Sequence, residues 1–356
     1  MMENFDYKKE GNMRSAKAES SSSRTYSLSS SQTVLIPSSP AIKSFHDPDL
    51  SKVSFTVDDV GDLRALAISQ EAGIWIGGTN GAIASLPDVG SSWRLHKPAG
   101  DSDLDFRALC IVEGKTVCAM SAGVSQVYRT EDGGENWSQV LLPAEKGIFF
   151  NAMKFWDSSN GIILCDPIGD HFAFYVTADG GRTWSRLIHQ SMPFAMDQEA
   201  AFAASNSCLT VGGSQHVWFC TGRGACARVF YSADRGQTWD VSVIQGMCVQ
   251  SPSAGLFSIA FQDESNGVAV GGDYKAPTDF PGANVFSTSD GGRTWNVVPP
   301  ESLSPSIRGR YLSSAAYGCD GQVFVIDGSQ EFNSIVLSGK QGCAVGPNQR
   351  VAIFEA

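Results

Sequence analysis

An eight-residue box recurs four times without gaps, and no other feature of the sequence restricts the fold as tightly. The copies are Thr130-Glu-Asp132-Gly-Gly134-Glu-Asn136-Trp137, Thr177-Ala-Asp179-Gly-Gly181-Arg-Thr183-Trp184, Ser232-Ala-Asp234-Arg-Gly236-Gln-Thr238-Trp239 and Thr288-Ser-Asp290-Gly-Gly292-Arg-Thr294-Trp295. A weaker copy keeps Asp88, Gly90, Ser92 and Trp93. The tryptophans follow one another at steps of 44, 47, 55 and 56 residues. That pitch fits a blade of four strands, of about 40–50 residues, repeated around an axis. Within the box, Asp accepts from turn amides, Gly supplies positive φ, and the Trp ring seals the base of a hairpin. Five equivalent aspartates describe a folding device, since catalysis needs unlike groups converging on one spot.

Two further strand patterns precede each box. The first is small and apolar: Arg64–Ile68, Arg107–Ile111, Asn151–Phe155, Glu199–Phe202 and Phe257–Phe261. Small side chains suit a crowded axis. The second is mostly flanked by glycine: Gly73–Gly77, Lys115–Ala119, Gly161–Cys165, Cys208–Gly212 and Gly267–Gly271. Five blades are thus expected over roughly 63–98, 105–143, 149–188, 198–244 and 255–298. After Trp295 there is no further box. Tyr311–Tyr317 reads as an inner strand, yet two second-strand candidates follow it, Val323–Ile326 and Cys343–Gly346. This predicts that a segment of about one blade is absent. Val53–Val57 is expected to supply the outer strand of the last blade and close the ring, which removes exposed sheet edges. The fold expected is an all-β propeller of six to seven blades over 51–356, with a shortened C-terminal part.

Composition supports this reading and removes other classes. Charged residues are 18% of the 356, Gly numbers 37 and aromatics reach 10%, which suits a turn-rich β protein. A net charge of −11 argues against a nucleic-acid partner, because phosphate binding needs a basic surface. No apolar run approaches the ~18 residues of a membrane span, so a soluble monomer is expected and an integral membrane protein is not. Residues 1–50 read as a disordered tail: 11 of the 26 residues from Ser15 to Pro40 are Ser, and such a stretch cannot bury enough apolar surface to order itself. It shows no apolar core of a secretory signal, so the compartment is left open. The nine cysteines form no CxxC pair, and buried free thiols are expected. Neither a metal nor a cofactor is expected.

The box resembles the Asp-box, or bacterial neuraminidase repeat, which marks a propeller and not an activity. A fuller set of motifs is similar to the photosystem II stability/assembly factor-like propellers. These motifs are Asp105-Phe-Arg-Ala-Leu, Phe155-Trp-Asp with Asn160-Gly, Cys165-Asp-Pro, Asp197-Gln-Glu199-Ala-Ala-Phe-Ala-Ala-Ser, His216-Val-Trp-Phe and Gly255-Leu-Phe-Ser-Ile-Ala-Phe. Phe261-Gln-Asp, Gly271-Gly-Asp-Tyr-Lys275 and Ala344-Val-Gly-Pro extend the resemblance over roughly 60–356. It implies seven blades, a non-catalytic role and a patch of arginines in partner binding.

In a propeller, loops before the inner strand and after the second strand share one face, and the box turns lie on the other. Sites normally occupy the mouth of the axis, where loops of several blades converge. Arg64, Arg107 and Arg310 start inner strands and are expected to clamp the acidic segment of a protein partner, since guanidinium binds carboxylates bidentately. The competing structural reading pairs these arginines with Asp62, Asp105 and Glu199. Asp166, Asp170, His171, His216, Trp218, Asp273, Tyr274 and Lys275 are further candidates on the same face. The alternative is a glycoside hydrolase of sialidase-like architecture with Glu199, Asp166 and Tyr311 in its site, although the Phe/Tyr-Arg-Ile-Pro motif of sialidases is absent. A carbohydrate binder without turnover would stack sugar on Trp218 and Tyr274.

Overall fold

A computed structural model describes residues 40–45, 52–100, 104–145, 147–247 and 251–355. All lie in the second of two units, Ser38–Ala356. Among the described residues the strands form seven sheets, one per blade. The first five blades comprise Leu63–Ser69, Gly73–Gly78, Ile83–Leu86 and Arg94–His96; Asp105–Glu113, Thr116–Ala122, Gln126–Thr130 and Ser138–Leu141; Phe150–Phe155, Gly161–Ile168, His171–Thr177 and Ser185–Arg186; Leu209–Gly212, His216–Cys220, Arg228–Ser232 and Asp240–Val243; and Ala254–Phe261, Gly267–Asp273, Val285–Thr288 and Asn296–Val297.

The boxes join third to fourth strands and are built alike. In the second blade the Thr130 hydroxyl donates to Asp132 at 2.8 Å and accepts from the Gly134 amide at 2.9 Å. Asp132 accepts from the Asn136 amide at 3.0 Å, and these donors hold its carboxyl well below the usual range. Trp137 closes the turn by donating from Nε1 to the Gly134 carbonyl at 3.1 Å. The boxes also join neighbouring blades. Trp218 of the fourth blade donates to Gly291 O in the fifth-blade box at 2.8 Å, and Arg129 Nε of the second reaches Gly180 O in the third.

The last two blades differ from expectation in an informative way. The sixth has Leu312–Tyr317 and Val323–Asp327, after which the chain passes directly to Ser334–Ser338, the inner strand of the seventh. The seventh continues with Gln341–Gly346 and Arg350–Glu355. No blade is absent. What the sixth blade lacks is its own third and fourth strands, and omitting an antiparallel pair returns the chain to the same face, so the ring stays in phase. The vacant third position is filled by β1 (Ile42–Ser44), which runs parallel to Val323–Asp327. β2 (Lys52–Thr56) is the outer strand of the seventh blade, antiparallel to Arg350–Glu355, as the sequence predicts for this segment. The propeller unit therefore begins before residue 51. The rest of the expected tail lies outside the described residues.

A second correction concerns the fourth blade. Its inner strand is Leu209–Gly212 and its second is His216–Cys220. Glu199–Phe202 is not a strand. The chain after it enters the axis as a plug. Ala203 O accepts from Arg107 Nη1 at 3.2 Å, Asn206 Oδ1 accepts from Met153 N at 2.9 Å, and Ser207 O accepts from Ile259 N at 2.7 Å. Ser205 Oγ donates to Ser313 O at 2.8 Å, and Ser334 Oγ donates to Ser205 O at 3.2 Å. One short segment thus reaches the second, third, fifth, sixth and seventh blades, which only an axial position allows. Above it, Gly222 bridges Ala200 and Gly255. A Cβ on Gly222 would lie 2.6 Å from Gly255 Cα, so this crossing requires glycine.

Candidate functional site

The plug fills the axis, and the starts of the inner strands surround it on the face opposite the boxes. Arg64 stands at the start of the first inner strand, half-buried and near Arg107, Asp105, Tyr311 and Asp62, with no hydrogen bond or ion pair to any described residue. Burial and then the charge of Arg107 weaken its hold on its proton, while Asp105, Tyr311 and Asp62 act the other way. A guanidinium stays charged throughout. Arg107 donates from Nε to Asp105 Oδ2 at 2.6 Å. The other oxygen of Asp105 is buried without a partner. Tyr311 is only 7% exposed, and its hydroxyl has no partner among the described residues. Burial raises the phenol pKa, and Arg64 opposes this. Its ring stands edge-on to Phe257 at 4.7 Å; Tyr274 lies 6.4 Å away, and Phe202 stacks on Phe257 at 4.0 Å. Among the described residues the mouth combines a cation without a partner, a half-paired one, a phenol without a partner and a wall of aromatic rings.

Arg310 stands apart from this pair. Its Nη1 lies 3.4 Å from Asp327 Oδ2, and Asp327 is buried. Of the pairings in the competing structural reading, the structure shows that of Arg107 with Asp105; Arg310 faces Asp327 instead, and Arg64 has no ion pair among the described residues.

Glu199 has no free oxygen. Oε1 accepts from Thr221 Oγ1 at 2.6 Å and Arg228 Nε at 2.9 Å. Oε2 accepts from Met196 N at 2.9 Å and from Arg228 Nη2. The pair is buried, with 0% of the Glu199 side chain exposed. A carboxylate so enclosed cannot exchange protons with a substrate. Asp166 lines the same cleft, of about 550 Å³, together with Asp170, Asp197 and Arg223. It accepts from Asn151 Nδ2 at 2.8 Å and Ala201 N at 3.3 Å. Burial pushes its carboxyl up to about 6 against these donors. Glu199 and Asp166 therefore share a cleft, while Tyr311 lies with Arg64 and Arg107, so the hydrolase inventory is divided between two places.

The displaced Asp166 titration makes stability depend on pH. The folded chain keeps this proton up to about pH 6, whereas the ordinary value is 3.8. The folded state thus binds more protons between those values, and this group lowers stability as pH rises through them. Asp166→Asn is expected to raise the melting temperature at pH 8 by several degrees, from at most about 3 kcal/mol, and to change little at pH 4. An amide there can also donate to Asn151 Oδ1, which is buried without a partner. Melting curves at the two pH values check this; equal shifts at both would exclude a titration effect.

The remaining candidates separate by face. Asp170 is exposed on the cleft rim, and His171 packs on Phe194 at 4.8 Å. Asp273 accepts from Ser251 Oγ at 2.6 Å and from the Lys275 amide at 2.8 Å. Burial alone would raise its pKa, but these donors and Ser253 hold it low. Lys275 is exposed beside it. His216 and Trp218 do not belong to this face. With the strand order corrected, His216 opens the second strand at the box end, 3.3 Å from Glu264, and Trp218 is buried on Phe261 with its indole nitrogen in the fifth box. Trp218 is therefore unavailable for sugar stacking. Sequence reasoning missed Arg228, the partner of Glu199, and the plug. The Gly212-Gly-Ser-Gln215 hairpin signal could have revealed both the true strand pair and the plug before it.

Among the described residues no group of three His, Cys, Asp or Glu is arranged to hold a metal ion, and no helix is long and apolar enough to cross a membrane. The eight described cysteines are free thiols; Cys248 lies outside the described residues.

No protein-family model matches the chain. A curated relative, the photosystem II assembly lipoprotein Ycf48 of Synechococcus sp. (strain CC9902), is 24% identical over 73% of this chain and 69% of its own length. The chloroplastic photosystem II stability/assembly factor HCF136 of Arabidopsis thaliana is 26% identical over 56% of this chain, and the match spans only 44% of that protein. Among solved structures, virginiamycin B lyase from Staphylococcus aureus superposes with a TM-score of 0.62 at 10% identity, covering 86% of this chain and 100% of the lyase. That likeness concerns the fold alone, since one fold serves many activities. On a seven-bladed propeller, then, this chain is similar in sequence to the photosystem II stability and assembly factors, as its motifs predict.

Proposed function

We propose that this chain is a non-catalytic scaffold that captures a protein partner by an acidic segment seated in the axial mouth. The observation that carries the reading is Arg64: a half-buried guanidinium, without a hydrogen-bond or ion-pair partner among the described residues, near Arg107 and Tyr311. Taking such a charge out of water is unfavourable unless something pairs with it, and a partner's carboxylate meets that need at the moment of binding. Arg107 contributes its remaining donors, and Arg310 steadies the loop through Asp327. Relatives named for photosystem II assembly and stability support a protein under assembly as the partner class. The capture of Glu199 by Arg228 disfavours the hydrolase.

Arg64→Gln tests this more cleanly than a change at Arg107, which would strip Asp105 of its partner. A fluorescent glutamate-rich peptide is expected to bind the wild type and to bind Arg64→Gln about tenfold more weakly, the loss of roughly one charge-assisted contact. The melting temperature should hold or rise, because no folded-state contact is removed. Equal affinity in wild type and variant would move the site away from the mouth. Turnover of a fluorogenic sialoside that vanishes in Tyr311→Phe would replace the scaffold by an enzyme.

A further inference from the structure

We propose that the top of the third blade is a second docking surface, which takes an apolar side chain flanked by a lysine or arginine of a partner protein. Ile188 and Phe194 are the two most exposed large hydrophobic residues among those described, at 79% and 67%. Phe194 belongs to a patch with His171, His189 and Ile168, and Ile188 precedes His189 in the chain. Phe194 packs on His171 at 4.8 Å, His171 lies 5.3 Å from His189, and Ile168, 40% exposed, is the strand partner of His171. Burial and the neighbouring His171 both lower the pKa of His189, so this ring adds neutral surface at neutral pH.

The patch is held rigidly. Gln190 N and Ser191 N donate to Gln237 O, and Trp239 N donates to Ser191 O at 3.0 Å. Ala195 N donates to Asp170 O at 2.8 Å. Arg228 Nη2 donates to Phe194 O at 2.8 Å while its fork grips Glu199. The buried ion pair therefore anchors the backbone of Phe194. The backbone on either side of this exposed ring is thus tied down, and exposed aromatic residues mark contact surfaces.

Charge selects the occupant. The adjoining cleft offers Asp166, Asp170 and Asp197 against the single cation Arg223, since Glu199 is neutralised by Arg228. A cationic side chain reaching from an apolar anchor into this cleft is complementary, whereas an anionic membrane surface would face like charge. The surface is separate from Arg64 and Arg107 and stands whether or not the axial reading does.

Three fluorescent peptides test it with the full chain: a Leu-Phe-Leu core between lysine pairs, the same core between glutamate pairs, and Ser-Gly-Ser between lysine pairs. The first is expected to bind about tenfold tighter than either other peptide. Phe194→Ser should weaken it at least fivefold with no change in melting temperature, and Asp170→Asn should weaken it and lower its salt dependence. Arg64→Gln should leave it unchanged. Indistinguishable binding of the three peptides, no binding, or a Phe194→Ser variant that binds like the wild type would overturn the proposal. Co-sedimentation with phosphatidylserine vesicles that depends on Phe194 would replace the protein partner by a membrane.

Discussion

A chain that starts at Ser38 is expected to melt with the full-length protein, and a chain that starts at Lys52 is expected to melt about 10 °C lower or not to fold. The two differ by β1 and Phe45. Phe45 is fully buried between Phe332 and Phe354, with ring centroids 5.1 Å from each. Removing a core Phe costs about 3–5 kcal/mol, and a domain of this size loses roughly 2–4 °C per kcal/mol. Truncation also strips the third strand from the sixth blade, leaving Val323–Asp327 as an open edge. Phe45→Ala in the full chain isolates the packing contribution and should fall between the two. A further truncation at Asp58 removes β2 and opens the seventh blade, so no cooperative melt is expected. Equal melting of the chains beginning at residues 38 and 52 would mean that β1 is dispensable and that the sixth blade stands on two strands.

Much of this architecture is legible in the sequence because the box is chemical. Asp, Gly and Trp each have one job in the turn, and the job leaves a fixed spacing. Closure by residues 53–57 is legible too, since a ring with one outer strand missing needs an apolar segment from the other end of the chain. β1 is not: three residues, Ile42, Lys43 and Ser44, carry no periodicity. Ser334–Ser338 is equally silent, because the inner strand of the seventh blade follows no box. In the fourth blade, Glu199–Phe202 imitates an inner strand and Leu209–Gly212 imitates a second one. Short apolar runs cannot be ranked by pattern alone. That one-strand slip reverses chain direction, and so it carried His216 and Trp218 to the wrong face. The axial residues were legible because inner strands begin at the mouth by topology. The pairing of Glu199 with Arg228 was not, because no local rule links positions on the loop and on the third strand.

Glu199→Gln is expected to lower the melting temperature by about 10 °C, and this outcome separates a structural carboxylate from a catalytic one. Removing one partner of a buried ion pair costs about 3–5 kcal/mol, since the other charge stays behind uncompensated. Here Arg228, 7% exposed, would keep Phe194 O and the Phe230 ring at 4.7 Å but lose its counter-charge. A catalytic glutamate behaves oppositely: its amide variant abolishes turnover and leaves the fold intact or firmer, because active-site charges are held at a cost to stability. Arg228→Met should destabilise comparably, because it leaves the Glu199 carboxylate buried without its counter-charge. Combining Arg228→Met with Glu199→Leu should be less harmful than the sum of the single changes, giving a coupling of at least about 2 kcal/mol in a double-mutant cycle. Additive losses would mean that the two side chains contribute separately, and the anchoring of the Phe194 backbone by their pairing would lose its basis.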